Sequence, residues 1–252
     1  MGERDELRTD GDGAVLALIP AHDEAPRIGA VVRAAAAHLP VLVIDDGSSD
    51  DTAAVAEAAG AHVLVQRPNQ GKGAALRAGF RWALAAGCDA VVTLDADGQH
   101  DPTEIPAFLA AWRGWGPAPR TAPLELVVGR RDFRRMPVAR RLANTFGGLT
   151  LSLALGRQVP DNQSGYRLVG RALMTALLDS REPGFEFEVE MLATCLARGF
   201  GLAWVPIRTI YAGEPSHVRP LHHVAHFLRA AWAARRTVRG RPVESRESQD
   251  PG

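Results

Sequence analysis

Val91-Val92-Thr93-Leu94-Asp95-Ala96-Asp97-Gly98-Gln99-His100 passes from apolar, mostly β-branched residues straight into acid. An apolar run of that kind suits a strand covered on both faces. Two carboxylates one residue apart at a strand's carboxyl end project into the crevice where open α/β sheets bind ligands. There they can approach one hard cation, and Mg²⁺ or Mn²⁺ held by one or two carboxylates completes its shell with substrate phosphate oxygens. The pattern points to a metal and diphosphate site. Taken alone, an Asp-x-Asp also fits two solvated loop aspartates, so the weight rests on what accompanies it.

Two further strand ends carry acid. Ala14–Pro20 leads into Pro20-Ala21-His22-Asp23-Glu24, and Val41–Ile44 leads into Asp45-Asp46-Gly47-Ser48-Ser49-Asp50. In a parallel sheet these three ends lie along one edge. Acid gathered so closely repels itself unless cations or hydrogen-bond donors sit between. A base, a ribose and a metal would supply them. Asp46 and Asp50 have a second reading, as turn and helix caps, and taken singly both readings stand. Asn69-Gln70-Gly71-Lys72-Gly73 precedes a helix, where glycine lets backbone approach a ligand and the helix N-terminus favours an anion. Lys72 is the only lysine in a chain otherwise dependent on arginine, which marks it for a role. The Walker A spacing is absent, and no Gly-x-Gly-x-x-Gly follows the first strand, which argues against a dinucleotide enzyme.

The elements that must position these residues alternate. Helices at Ala25–His38, Thr52–Ala59, Gly71–Ala86 and Pro102 to about Trp112 fall between strands at Ala14–Pro20, Val41–Ile44, His62–Val65, Asp89–Leu94 and Leu124–Val128. That order predicts an α/β fold, with a mostly parallel central sheet and helices on both faces. Further on, Pro137–Leu155, Gly170–Leu178, Phe187–Arg198 and Leu221–Arg239 read as helices, Leu202–Ile207 as a strand and Asp161–Arg167 as a polar turn. Residues 1–12 and 240–252 read as loose tails. Between them one domain is expected, with a nucleotide half at about 13–130 and an acceptor half at about 131–239.

Composition removes other classes. A formal net charge of zero gives no ground for a nucleic-acid partner. Cys88 and Cys195 stand too far apart for a metal motif or a disulfide framework. No apolar run reaches the roughly 18 residues that a membrane helix needs, and residues 1–12 are too polar for a signal peptide. A cytoplasmic protein, attached at most to the membrane surface, is expected.

Together, Pro20-Ala21-His22-Asp23-Glu24, Asp45 to Asp50, Gly71-Lys72-Gly73 and Asp95 to His100 resemble the nucleotide-sugar half of family 2 inverting glycosyltransferases. Asp161-Asn162-Gln163-Ser164-Gly165-Tyr166-Arg167, Val205-Pro206-Ile207 and Gly213-Glu214-Pro215-Ser216-His217 resemble its dolichol-phosphate mannosyltransferase branch. The likeness runs from about Ala14 to Arg229. It implies a single-domain, Rossmann-like glycosyltransferase A fold and metal-dependent transfer of a hexose from a nucleotide diphosphate sugar (GDP-mannose or UDP-glucose) to a polyprenyl phosphate. Pro20, His22, Glu24, Ile44 and Asp46 would surround base and ribose; Lys72 joins the donor site as a cation. Asp95, Asp97 and Gln99 would hold Mg²⁺ or Mn²⁺, and Ala96 would touch the donor through its backbone. Asp97 and Arg130 would be the catalytic pair. Arg130, Arg141, Ser164 and Arg167 would bind the acceptor phosphate, and His217 would stand near the donor diphosphate. His22 and Asp23 replace the usual Tyr and Asn, which leaves the base open, and His217 replaces a frequent lysine.

A soluble hydroxyl acceptor is the alternative. It would need a carboxylate base in reach, for which Asp161 is the candidate, against its simpler reading as a turn residue. A non-catalytic nucleotide-binding scaffold is the alternative from another class. On Leu221–Arg239, Val224, Phe227, Leu228, Ala231 and Trp232 make an apolar stripe flanked by Arg229, Arg235, Arg236 and Arg239. Such a helix fits either a membrane interface or the protein's own sheet. Phe185 to Glu190 reads as a solvated or paired helix start, with Glu186 and Glu190 on one side.

Overall fold

The structure, a computed structural model, describes residues 13–115, 122–132, 138–162, 164–184 and 186–208, with backbone alone for 138–146. Seven strands form one sheet: β1 (Val15–Ala21), β2 (Val41–Asp45), β3 (His62–Val65), β4 (Ala90–Thr93), β5 (Leu124–Arg131), β6 (Arg167–Gly170) and β7 (Gly201–Ile207). Their order is β3-β2-β1-β4-β6-β5-β7. All neighbours pair in parallel except β6, which runs antiparallel to both β4 and β5. The helices are α1 (Ala25–Ala36), α2 (Thr52–Ala58), α3 (Lys72–Ala85), α4 (Ile105–Arg113, after a 3₁₀ turn at Pro102–Glu104), α5 (Val138–Leu155), α6 (Arg171–Leu177) and α7 (Glu186–Ala197).

Both faces of the sheet are covered, as its near-continuous apolar strands require. Along β1, Leu16 and Leu18 enter the core shared with α3, α6 and α7, while Val15, Ala17, Ile19 and Ala21 enter the core shared with α1 and α4. This period of two places a complete apolar set on each side. Gly79 brings α3 close to β1, because a Cβ there would collide with the Leu18 side chain.

β6 is the one strand absent from the sequence reading, which ended a polar turn at Arg167 and began a helix at Gly170. Four residues opening on arginine and closing on glycine carry little strand signal. They form a strand because β4 and β5 both lie open to them: Thr93 pairs with Arg167, Ala90 with Gly170 and Val128 with Arg167. The tails at 1–12 and 240–252, the Gly213–His217 motif with His217, and the Leu221–Arg239 helix lie outside the described residues. So does the side chain of Arg141, whose backbone belongs to α5. Among the described residues no helix is long and apolar enough to cross a membrane.

Candidate active site

β2, β1 and β4 are parallel neighbours, so the three acidic strand ends sit side by side on one edge. β5 points the same way, since two antiparallel steps separate it from β4, and it delivers Arg130 and Arg131 to that edge. The loop preceding antiparallel β6 arrives there as well, bringing Asp161 to Tyr166. Sheet topology alone therefore gathers the chemistry-bearing residues.

The loops after β1 and β2 are laced together. Asp23, at a left-handed φ of 54°, accepts from the Ser49 N–H at 2.7 Å and its hydroxyl at 3.1 Å. Ser48 Oγ accepts from the Asp23 N–H at 3.0 Å and itself donates to Asp45. Asp50 accepts from the N–H groups of Ala25 (3.1 Å) and Thr52 (3.0 Å), which makes it, rather than Asp51, the carboxylate at the start of α2. Buried Asp46 accepts from Gln66 Nε2 at 2.5 Å, the Gln70 N–H at 2.8 Å and the Gly71 N–H at 2.7 Å. Its carboxylate thereby holds the loop leading into α3. His22 is exposed beside Asp23, and Glu24 accepts from Arg27 Nε at 3.0 Å. Pro20 is half-buried on the edge. Ile44 is fully buried, its side chain in the core under α3.

The glycines around Lys72 serve a different purpose from the expected one. The carbonyl of Pro183 accepts from the Gly73 N–H at 2.7 Å, and a Cβ at Gly71 or Gly73 would strike the carbonyls of Pro183 or Glu182. The N-terminus of α3 is thus closed by the chain's own 182–184 segment, and what it offers an anion is Lys72. The Lys72 side chain, only 16 % exposed, places Nζ 2.5 Å from Asp95 Oδ1 and 2.8 Å from Glu188 Oε1. Burial works against its charge, but the two carboxylates outweigh that and raise its pKa.

Pairing of β4 ends at Thr93, and Leu94 and Ala96 stay buried while Asp95 and Asp97 are half-buried. Burial would raise the Asp95 carboxyl; Lys72 overcomes this and holds it at about 2. The Asp95 N–H donates to His100 Nδ1 at 3.1 Å, and His100 Nε2 lies 3.7 Å from Asp95 Oδ2. His100 is buried, which lowers its pKa, and packs on Tyr166, which in turn stacks on Phe108. His100 Nδ1, by accepting the Asp95 N–H, fixes that backbone. Asp97 moves the other way: burial raises its pKa, and the nearby Asp95 charge adds to this against the Gln99 N–H it accepts at 2.9 Å. Gln99 meets Asp97 through this backbone group.

The donor set is hard oxygen: Asp95 and Asp97, with burial and the Asp95 charge disfavouring a bare Asp97 carboxylate. A divalent cation relieves that, so the residues fit Mg²⁺ or Mn²⁺. Among the described residues no three His, Cys, Asp or Glu side chains form a ready cage. Two carboxylates completed by substrate oxygens are Mg²⁺'s ordinary arrangement.

On the other side of β4, Arg131 grips buried Asp161 through Nε (2.7 Å) and Nη2 (2.9 Å). That fork engages both carboxylate oxygens. Arg130, the next residue along the strand, is exposed. Arg167 is 1 % exposed. It donates to the carbonyls of Ser164 (2.8 Å), Glu188 (2.6 Å) and Asn162 (3.3 Å). Its guanidinium ties Asn162 and Ser164 to α7. Ser164 Oγ and Asn162 Nδ2 are buried and have no partner among the described residues. Between that loop and Asp95 there is no spare room: a Cβ on Gly165 would lie 2.8 Å from both Asp95 oxygens and 2.9 Å from Lys72 Nζ.

Two residues of this centre had no role in the sequence reading, His100 and Glu188. His100 closed a motif whose acids drew attention. Glu188 lay in an acidic helix start read as solvated or paired; Glu190 fits that reading, accepting from Ser180, whereas Glu188 is turned inward.

Against known proteins, the family model described as "Glycosyl transferase family 2" matches residues 17–173. An undecaprenyl-phosphate mannosyltransferase of Micrococcus luteus is 34 % identical over 208 residues, 77 % of this chain and 82 % of that protein. A polyprenol monophosphomannose synthase of Mycolicibacterium smegmatis is 31 % identical, covering 76 % of each. Among solved structures, glucosyl-3-phosphoglycerate synthase of Mycobacterium tuberculosis with Mn²⁺, UDP and glucosyl-3-phosphoglycerate superposes with a TM-score of 0.63 at 25 % identity, over 96 % of this chain and 85 % of that one. The same enzyme is also known with Mg²⁺ and UDP, again at 25 % identity and a TM-score of 0.63. With the acidic strand ends on one edge and this set of relatives, the chain belongs to glycosyl transferase family 2, in the branch of the polyprenyl-phosphate glycosyltransferases.

Proposed function

We propose that this glycosyltransferase moves a hexose, mannose or glucose, from a nucleotide diphosphate sugar to a polyprenyl phosphate, with inversion at the anomeric carbon. The observation that carries the reading is the placing on one sheet edge of Asp95 and Asp97, exposed Arg130 and a Ser164 hydroxyl with no partner among the described residues. His22, Glu24 and the Asp46-held loop form the wall for base and ribose. Asp95, Asp97 and Gln99 would hold Mg²⁺ or Mn²⁺, which supplies Lewis-acid stabilisation of the departing diphosphate. Arg130, Ser164 and, from α5, Arg141 take the acceptor phosphate, while His217 and Lys72 add positive charge on the donor side. Arg167 acts one step back, setting Ser164 through its carbonyl.

A phosphate acceptor is already anionic near neutral pH, with a second pKa of about 6. It needs placing rather than deprotonating. A hydroxyl acceptor needs a base, and the candidate Asp161 is tied up by Arg131. That favours the phosphate over the soluble acceptor. A cleft of about 610 Å³ adds support for a lipid. It is lined by Leu149, Leu153, Val159 and Pro160, adjoins Asp161, and exposes Leu149 and Leu153 at 59 % and 72 %. The enzyme would then work at a membrane surface.

The test is incubation with labelled GDP-mannose or UDP-glucose and Mg²⁺ or Mn²⁺, with and without polyprenyl phosphate. Lipid-extractable label that requires the metal and the lipid is expected. Label appearing only on a water-soluble acceptor such as phosphoglyceric acid would overturn the lipid assignment.

A further inference from the structure

We infer that Glu188 is a positioning residue, the reserve counter-ion that receives the Lys72 ammonium when Asp95 turns to a divalent cation. The inference rests on the metal reading of Asp95 given above. Asp95 is not free as it stands. Lys72 Nζ lies 2.5 Å from Oδ1, His100 Nε2 lies 3.7 Å from Oδ2, and Gly165 packs so close that a Cβ there would crowd both oxygens and Nζ. A cation reaching Oδ1 has to displace an ammonium in close contact with it.

Displacing a buried ammonium without a destination is costly, because a charge away from water needs a partner. Glu188 provides that destination in advance. Its Oε1 is already 2.8 Å from Nζ, so the lysine has only to give up one of two carboxylates. Glu188 is itself held in place. Its carbonyl accepts from Arg167 Nη1 at 2.6 Å, its Oε2 lies 4.0 Å from Arg167 Nη2, and its side chain is 6 % exposed. α7, the buried arginine of β6 and the first residue of α3 thus form one chain of alternating charge ending at Asp95. Of the two carboxylates that hold Lys72 among the described residues, Glu188 is the one the cation does not need.

The experiment measures Mn²⁺ alone by electron paramagnetic resonance, in the full chain without nucleotide, for wild type, Glu188→Gln, Lys72→Met and the double variant. Glu188→Gln is expected to weaken Mn²⁺ binding about tenfold, within the coupling that contacting charged groups show. Lys72→Met should tighten it, and Glu188→Gln placed on top of Lys72→Met should then cost less than about threefold. Equal losses from Glu188→Gln in both backgrounds would reduce Glu188 to a distant charge and overturn the proposal, as would no loss in either. Wild-type protein that binds no Mn²⁺ would overturn the metal reading along with it. Thermal melts of each variant identify unfolding. Should Glu188→Gln not fold, Glu188→Asp replaces it: a carboxylate one methylene short must lose affinity, and unchanged binding counts against the proposal.

Discussion

Between β2 and β1 the carboxylates of Asp23, Asp45, Asp46 and Asp50 all accept hydrogen bonds from the protein itself, from Ser49, Ser48, Gly71 and Thr52 among others. Between β4 and β5 the loop before β6 leaves the Ser164 hydroxyl and the Asn162 amide buried without partners among the described residues, with Arg130 exposed nearby. The two sides of one sheet edge thus treat polar groups in opposite ways. The first side, proposed above for the donor, is satisfied before any ligand arrives and so is a preformed wall, which lowers the ordering cost of binding. The second, proposed for the acceptor, carries groups that cost about 1–3 kcal/mol each when buried unsatisfied. Such groups are rare enough in folded proteins to require a reason, and a phosphate would be one.

Asp97 tests the boundary between the sides most sharply. Half-buried, with only the Gln99 N–H on its carboxylate among the described residues, it contributes little to the fold. Asp97→Ala should lower transfer by about 10²–10³-fold, the loss typical of removing a principal electrostatic group from a reacting centre, while the thermal midpoint stays near that of wild type. Full retention of transfer would remove the metal site from the account.

Arg131→Met should show the opposite split. It strips the guanidinium fork from Asp161, which is 1 % exposed, and leaves the buried carboxylate without that counter-charge, the Arg131 N–H at 3.2 Å remaining. A loss of about 3–5 kcal/mol in urea unfolding is expected, partly recovered by adding Asp161→Asn. If stability hardly changes, the acceptor-side scaffold does not depend on this pair.

On the donor side, Asp46→Asn turns an amide toward three donors that now meet carboxylate oxygen. It should cost about 1–3 kcal/mol and speed hydrogen exchange at Gln70 and Gly71. An unchanged exchange rate would show that the loop into α3 is held by something else.

The donor side was also the more legible in sequence. Apolar strands followed directly by acid, with caps and glycines in between, mark parallel strand ends one after another. What those residues do was harder to read. Gly71 and Gly73 accommodate the carbonyls of Glu182 and Pro183, a contact spanning over a hundred positions that no local pattern announces. β6 escaped because its pairing comes wholly from its neighbours. Arg167 was named for the acceptor phosphate by the family resemblance alone; the strand it opens carries it inward to three carbonyls. Glu188 sits two positions from Glu186 and Glu190, on the opposite side of α7, and only the packing of that helix on α3 makes the opposite side the interior.

Ser164→Ala asks the smallest change of the molecule and separates the two halves most cleanly. A hydroxyl with no partner adds no hydrogen bond to the folded state, so its removal should leave stability within about 0.5 kcal/mol or raise it slightly. The same hydroxyl, if it donates to the acceptor phosphate, contributes about 0.5–1.5 kcal/mol there, so KM for polyprenyl phosphate should rise roughly two- to tenfold while KM for the nucleotide sugar holds. A loss of stability without a change in acceptor KM would mean that Ser164 has a structural partner and that this side of the edge is as self-sufficient as the other.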